Sequence, residues 1–293
     1  MPLEASPLSE QLPLFQLRDF DVLLNQGWPV GVDSTYPSEL RLRLSAASIS
    51  FQMGNKSIDN VIKRYLNDKT YDEAPADRLD RRIAQFVKDE LTKLDKTLGE
   101  LAPENPVLGQ MVSKWTFMRI PFSFDLAITC AQRGALFECL AIIRMILEQA
   151  AWALDIRLLD DFDAITSRRT VQSIGSMKSI HPAAGRFYGW LSDHAHWTYD
   201  AHIKAFKAAE GTISMLLANS LYKAQALGAI LVLFGIAQAA YRSLHETLGM
   251  APPTEKTTEI DVGIFVRELQ SLAPRDKDIQ LLLTMVEMKR RES

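Results

Sequence analysis

The placement of proline constrains this chain more than any other feature. From Ser38 to Ala251 the ring appears only at Pro75, Pro103, Pro106, Pro121 and Pro182. Proline lacks an amide hydrogen and clashes with the preceding turn, so the long proline-free intervals, rich in Ala, Leu, Ile, Lys, Arg and Glu, are the ones free to be helical. Leu79, Ile83, Phe86, Val87, Leu91, Leu94 and Leu98 recur at three- and four-residue steps, which puts them on one stripe. Asp77 is the expected cap of that helix and Gly99 its stop. Lys88, Asp89, Glu90, Lys93, Asp95 and Lys96 remain to face water. Further helices are expected over about 38–53, 57–67, 106–117, 122–132, 134–159, 163–178, 183–208, 212–248, 259–272 and 275–291. No stretch shows sustained period-two alternation between hairpin signals, so no sheet is expected. The fold class is therefore all-α, a helical bundle.

Four regions follow from the same reading. Residues 1–36 carry Pro2, Pro7, Pro13 and Pro29, and form an expected N-terminal arm rather than a domain. Leu12, Leu14, Phe15, Leu17 and Phe20 would dock it on the protein's own body or on a protein partner. Residues 37–120 form an N-terminal helical region, 121–250 the helical core, and 251–293 a C-terminal helical pair entered through Pro252 and Pro253. At 293 residues and 47% hydrophobic, the chain has enough apolar side chain for a large core. Its formal charge of −3 gives no overall pull toward nucleic acid or an anionic membrane.

Met1-Pro2-Leu3-Glu4 does not open like a signal peptide. The apolar run Ala226–Ala237 lies between Gln225 and Gln238 and falls short of the ~20 apolar residues a span needs, so a buried core helix is expected and no membrane partner. Cys130 and Cys139, read as one helix, would face different sides, which fits free thiols in a reducing compartment. The expected location is cytoplasmic.

Chemistry is most visible where polar groups interrupt apolar segments. Between Glu138 and Asp155 the only charges are Arg144 and Glu148, set among Leu140, Ile142, Ile143, Met145, Ile146, Leu147 and Trp152. A helix apolar on all sides is expected at the centre of a bundle, and a charge left unpaired there costs several kcal/mol. Arg144 and Glu148 share a face, but arginine preceding glutamate is the weaker order for an i,i+4 pair, so a neighbouring helix should supply further partners. The bland alternative is a buried pair that only fixes helix register.

A second segment runs from Tyr188 to His202 and holds His194, His196 and His202 beside Asp193 and Asp200. Imidazole titrates near neutrality and can move protons or bind metal. On a helix Ser192 would share a face with His196, and Asp193 with His196 and Asp200. His196 is expected to be buried, and His194 and His202 to be surface or capping residues. The run His245–Gly249 lacks the second histidine of a zinc-protease motif. No phosphate-binding loop, nucleotide fingerprint or nucleophile elbow is present, and no cofactor is expected.

The Arg-x-x-x-Glu of Arg144 and Glu148, followed downstream by the Leu-Ser-x-x-x-His of Leu191, Ser192 and His196, resembles a family of uncharacterised bacterial proteins with HEPN-like helical bundles. Some of those proteins are linked to abortive infection and phage defence. The resemblance covers roughly residues 121–250. It implies a core of four or five helices and a homodimeric assembly. In active HEPN ribonucleases an arginine and a histidine are separated by four to six intervening residues. Here nine residues separate Arg186 from His196, a departure from that signature.

The reading that follows is a non-catalytic binding or scaffold protein, or a sensor component of a bacterial defence or stress system. The alternative is a metal-independent ribonuclease or nucleotide-directed toxin in which His196 acts as acid and base, Arg144 stabilises phosphate charge, and Glu148 and Ser192 orient them. RNA would be its partner, guided by Arg168, Arg169, Lys178, Lys204 and Lys207. A third reading is a metalloenzyme using His194, His196, Asp200 and Glu148.

Overall fold

Eleven helices and two short antiparallel hairpins make up the described residues of this computed structural model: 20–25, 28–33, 38–54, 57–66, 75–100, 105–195, 206–209, 212–215, 220–249 and 256–288. The fold is an all-α helical bundle. The chain divides into two units, residues 1–74 and 75–293.

In the first unit β1 (Phe20–Asn25) pairs with β2 (Trp28–Asp33) in a register running from Phe20 opposite Asp33 to Asn25 opposite Trp28. The hairpin lies against α1 (Ser38–Gln52), which packs on α2 (Ile58–Tyr65) around Ala46, Val61 and Ile62. Ser57 caps α2 by accepting a hydrogen bond from the Asn60 amide. The expected arm over 1–36 is thus corrected: its second half is a hairpin belonging to a small unit. Its apolar residues Leu12, Leu14, Phe15 and Leu17 lie outside the described residues.

The second unit contains α3 (Pro75–Gly99), α4 (Leu108–Gln132), α5 (Leu136–Ile156), α6 (Phe162–Thr166), α7 (Thr170–Met177), α8 (Ala183–Ala195), β3 (Phe206–Ala209), β4 (Thr212–Met215), α9 (Ser220–Thr247), α10 (Lys256–Leu272) and α11 (Lys277–Glu287). The stripe from Leu79 to Leu98 is buried apart from Phe86, which is partly covered. Proline starts α3 where its missing amide costs nothing, so Asp77 lies inside the helix rather than at its cap. The Phe86 ring meets Phe234 and Phe265 edge-on, each at 5.4 Å between centroids, and so ties α3 to α9 and α10. The C-terminal pair α10–α11 is present and shares this core through Phe265, Leu269, Leu282 and Leu283.

The centre of the bundle is α9, not the segment holding Arg144. Helices α3, α4, α5, α8, α10 and α11 all pack on α9. By length and hydropathy α9 could cross a membrane, yet its apolar window is 89% buried inside the bundle. Gly249, at φ 81°, takes the left-handed conformation just past its end. By contrast α5 shows one side to solvent, where Met145 is 41% exposed.

The helices expected over 106–117 and 122–132 are one continuous helix, α4, and the expected boundary at 120/121 falls inside it. Pro121 has no amide to give to the Phe117 carbonyl, which would normally break the helix there. The Tyr241 hydroxyl of α9 donates to that carbonyl at 2.7 Å instead. Burial, with the Asp95 charge adding to it, pushes the Tyr241 phenol well above its ordinary pKa, so the proton needed for donation is held. The two rings meet edge-on at 4.8 Å.

Tight α4–α5 packing follows from small residues. A methyl at Gly109 would lie 2.0 Å from the Ile156 carbonyl oxygen, and the Gly109 amide bonds the Leu159 carbonyl at 2.7 Å. The Ser113 hydroxyl donates to the Ala153 carbonyl. Cys130 on α4 and Cys139 on α5 sit on different helices, not on one, and both are free thiols. Burial pushes the Cys139 thiol well above its ordinary pKa.

Two further expectations change. The helix over 163–178 is two short helices, the first capped by Asp161, whose carboxylate accepts from the Ala164 amide at 2.7 Å. The helices expected over 183–208 and 212–248 are present but shorter, as α8 and α9, and between them β3 pairs with β4 from Phe206 opposite Met215 to Ala209 opposite Thr212. In β4 the β-branched Thr212 and Ile213 favour the extended chain, against the helix-forming alanines of β3.

Candidate functional site

Arg144 and Glu148 lie on the edge of α5 that faces α8. Phe187, Trp190 and Leu191 bury one side of α8. Tyr188 emerges beside that apolar side and reaches the α5 pair. The Arg144 Nε donates to Glu148 Oε1 at 3.0 Å, and Arg144 Nη2 donates to the Tyr188 hydroxyl at 3.0 Å. That hydroxyl in turn donates to the same Glu148 Oε1 at 3.1 Å. The three groups close a triangle, with the guanidinium carbon 5.1 Å from the centre of the Tyr188 ring. The Arg144 and Glu148 side chains keep 21% and 26% of their surface in solvent. Burial works against the Arg144 charge, but hydrogen bonds to Glu148 and Tyr188 outweigh it and raise its pKa above the ordinary value.

Tyr188 is the residue that sequence reasoning passed over. Its signal was present, because Tyr188 stands four residues before Ser192 and so shares its helix face. Ser192 itself does not turn toward the pair through its hydroxyl: Oγ donates to the Tyr188 carbonyl one turn back, at 2.8 Å. This is the ordinary local bond of a helical serine. His196, the fourth expected member, lies outside the described residues, as do Asp200 and His202.

His194 is half-buried rather than a surface or capping group. Its Nδ1 is 2.8 Å from the Trp190 carbonyl, its ring tilts over the Trp190 ring at 4.4 Å, and its Nε2 is 3.7 Å from Asp278 on α11. The Trp190 indole N–H donates to the same Asp278 oxygen at 3.0 Å. Tyr188 and His194 are six positions apart, which on a 3.6-residue repeat places them on different sides of α8. One side meets α5 and the other α11. Among the described residues no group of three His, Cys, Asp or Glu side chains is arranged to hold a metal ion.

The sequence also hid a second ion pair. Lys223, in the first turns of the apolar α9, bonds Asp80 of α3 at 3.1 Å, with their side chains 16% and 7% exposed. Two residues on, Gln225 donates to Asp276, which also caps α11 by accepting from the Ile279 amide at 2.8 Å. These contacts lock three helices together at the start of α9.

Compared with family models, with curated proteins and with solved structures, the chain matches none of them.

Proposed function

We propose that this chain is a binding or scaffold protein, a non-catalytic or sensor component of a bacterial defence or stress system of the kind the HEPN-like resemblance implies. The observation that supports this reading is the closed triangle of Arg144, Glu148 and Tyr188. A guanidinium that is to stabilise a phosphate in a transition state must aim donors at the place where charge develops. The Arg144 donors bonded here point at a carboxylate and a phenol of the same protein. One carboxylate oxygen takes bonds from both partners, so the centre is electrically balanced from within. Such a set holds α5 against α8 and presents a partly exposed polar shelf for recognition.

The test is incubation of the purified full-length protein with total RNA, beside Arg144→Met. No cleavage by either is expected. Cleavage by the parent protein that disappears in Arg144→Met, with circular dichroism unchanged, would establish a ribonuclease and end the scaffold reading. Affinity capture with residues 1–19 removed, which spares the β1–β2 hairpin, then asks whether partners bind through the N-terminal arm.

A further inference from the structure

Helix α4 is apolar on two opposite sides, and only one of them is covered. Phe117, Ile120, Phe124, Ala127, Ile128 and Ala131 face the core. On the other side Met111, Trp115, Met118, Phe122 and Leu126 follow one another at steps of four, three, four and four residues. They are 37%, 61%, 41%, 67% and 45% exposed. Steps of three and four keep a stripe in line along the helix, and this one runs for roughly 22 Å.

We infer that this face is the contact between two copies of the chain, packed with their α4 helices antiparallel. Area is the first argument. With aromatic side chains worth about 150–250 Å² each, the stripe leaves roughly 450 Å² of apolar surface per chain in water. Two copies facing each other hide about 900 Å², and the surrounding polar rim carries the total past the ~1,000 Å² of a specific interface.

Self-complementarity is the second argument. A two-fold axis between positions 118 and 119 sets Met111 against Leu126 and Trp115 against Phe122, while the Met118 residues cross at the axis. Such a closed contact uses one surface twice. The charges fit the same operation. Lys114 and Asp125 both lie on the α3 edge of α4, where Lys114 bonds the Gly99 carbonyl and Asp125 pairs with Lys88. Antiparallel packing brings Lys114 within about 3 Å, along the helix axis, of Asp125 of the second copy, and does so twice. Arg119 lies on the other edge, where its long stem can carry the charge outward. The contact stands independently of the reading of the Arg144 centre.

Sedimentation velocity of the full chain at micromolar concentration is the test. The parent protein is expected to run at twice the chain mass, and Trp115→Ser combined with Phe122→Ser to run as a monomer with an unchanged melting midpoint. Lys114→Glu should weaken dimerisation roughly tenfold, and adding Asp125→Lys should restore it. A monomeric parent protein, a double serine variant that still dimerises, or a charge swap that fails to restore would each overturn the inference. So would a monomer that cosediments with vesicles of anionic phospholipid through Trp115 and Phe122, which would assign the face to a lipid surface.

Discussion

Lys223 and Asp80 join two helices in the interior, whereas Arg144 and Glu148 lie four residues apart on one helix near the surface. The chemistry is the same, a cation against a carboxylate, but solvent treats the two pairs differently. Water reaches about a quarter of the Glu148 side chain and 7% of Asp80. A partner removed from the inner pair leaves a charge with little water to replace it, while at the outer pair solvent can take the empty place. The comparison separates a polar contact that holds the bundle together from one available for recognition.

Breaking the inner pair should have the largest effect. Lys223→Met is expected to lower stability by about 3 kcal/mol, measured by urea denaturation, because it takes the ammonium from a carboxylate that is only 7% exposed. A loss below about 1 kcal/mol would erase the distinction between the two pairs.

Next comes the neutral inner contact. Tyr241→Phe should cost about 2 kcal/mol by leaving the Phe117 carbonyl without a donor. In a Pro121→Ala background the new amide can serve that carbonyl, so the penalty of the phenylalanine should shrink. Equal losses in both backgrounds would mean that the hydroxyl does not substitute for the amide.

The outer triangle should respond least. Tyr188→Phe is expected to change stability by about 0.5–1 kcal/mol, since water can solvate Arg144 and Glu148 once the phenol is gone. Thermal unfolding would show this; a loss as large as that of Lys223→Met would place Tyr188 among the contacts that hold the core.

The helical character of the chain was legible because proline spacing and apolar periodicity both act within a helix, over distances that local sequence reports. The α3 stripe shows this best. The joints were less legible. Nothing near Pro121 discloses that a tyrosine far along the chain will supply the missing donor, and nothing near Lys223 names Asp80. The hairpins were missed for another reason: alanines around 205–209 read as helix, and prolines at 7, 13 and 29 read as an irregular arm, although Gly211 and Gly27 both carry a turn signal. At the candidate site, the need of Arg144 and Glu148 for a third group could be argued from charge alone. Its identity as Tyr188 depended on how α8 is rotated, which a single sequence does not report.

The bond between Tyr241 and the carbonyl ahead of Pro121 makes two remote positions interdependent. A ring closed on nitrogen at 121 costs least while a phenol stands at 241, and that phenol matters most while the imino acid persists. Related chains should therefore swap both residues together or neither. A lone change at either place would mark a lineage whose α4 bends differently against its central rod.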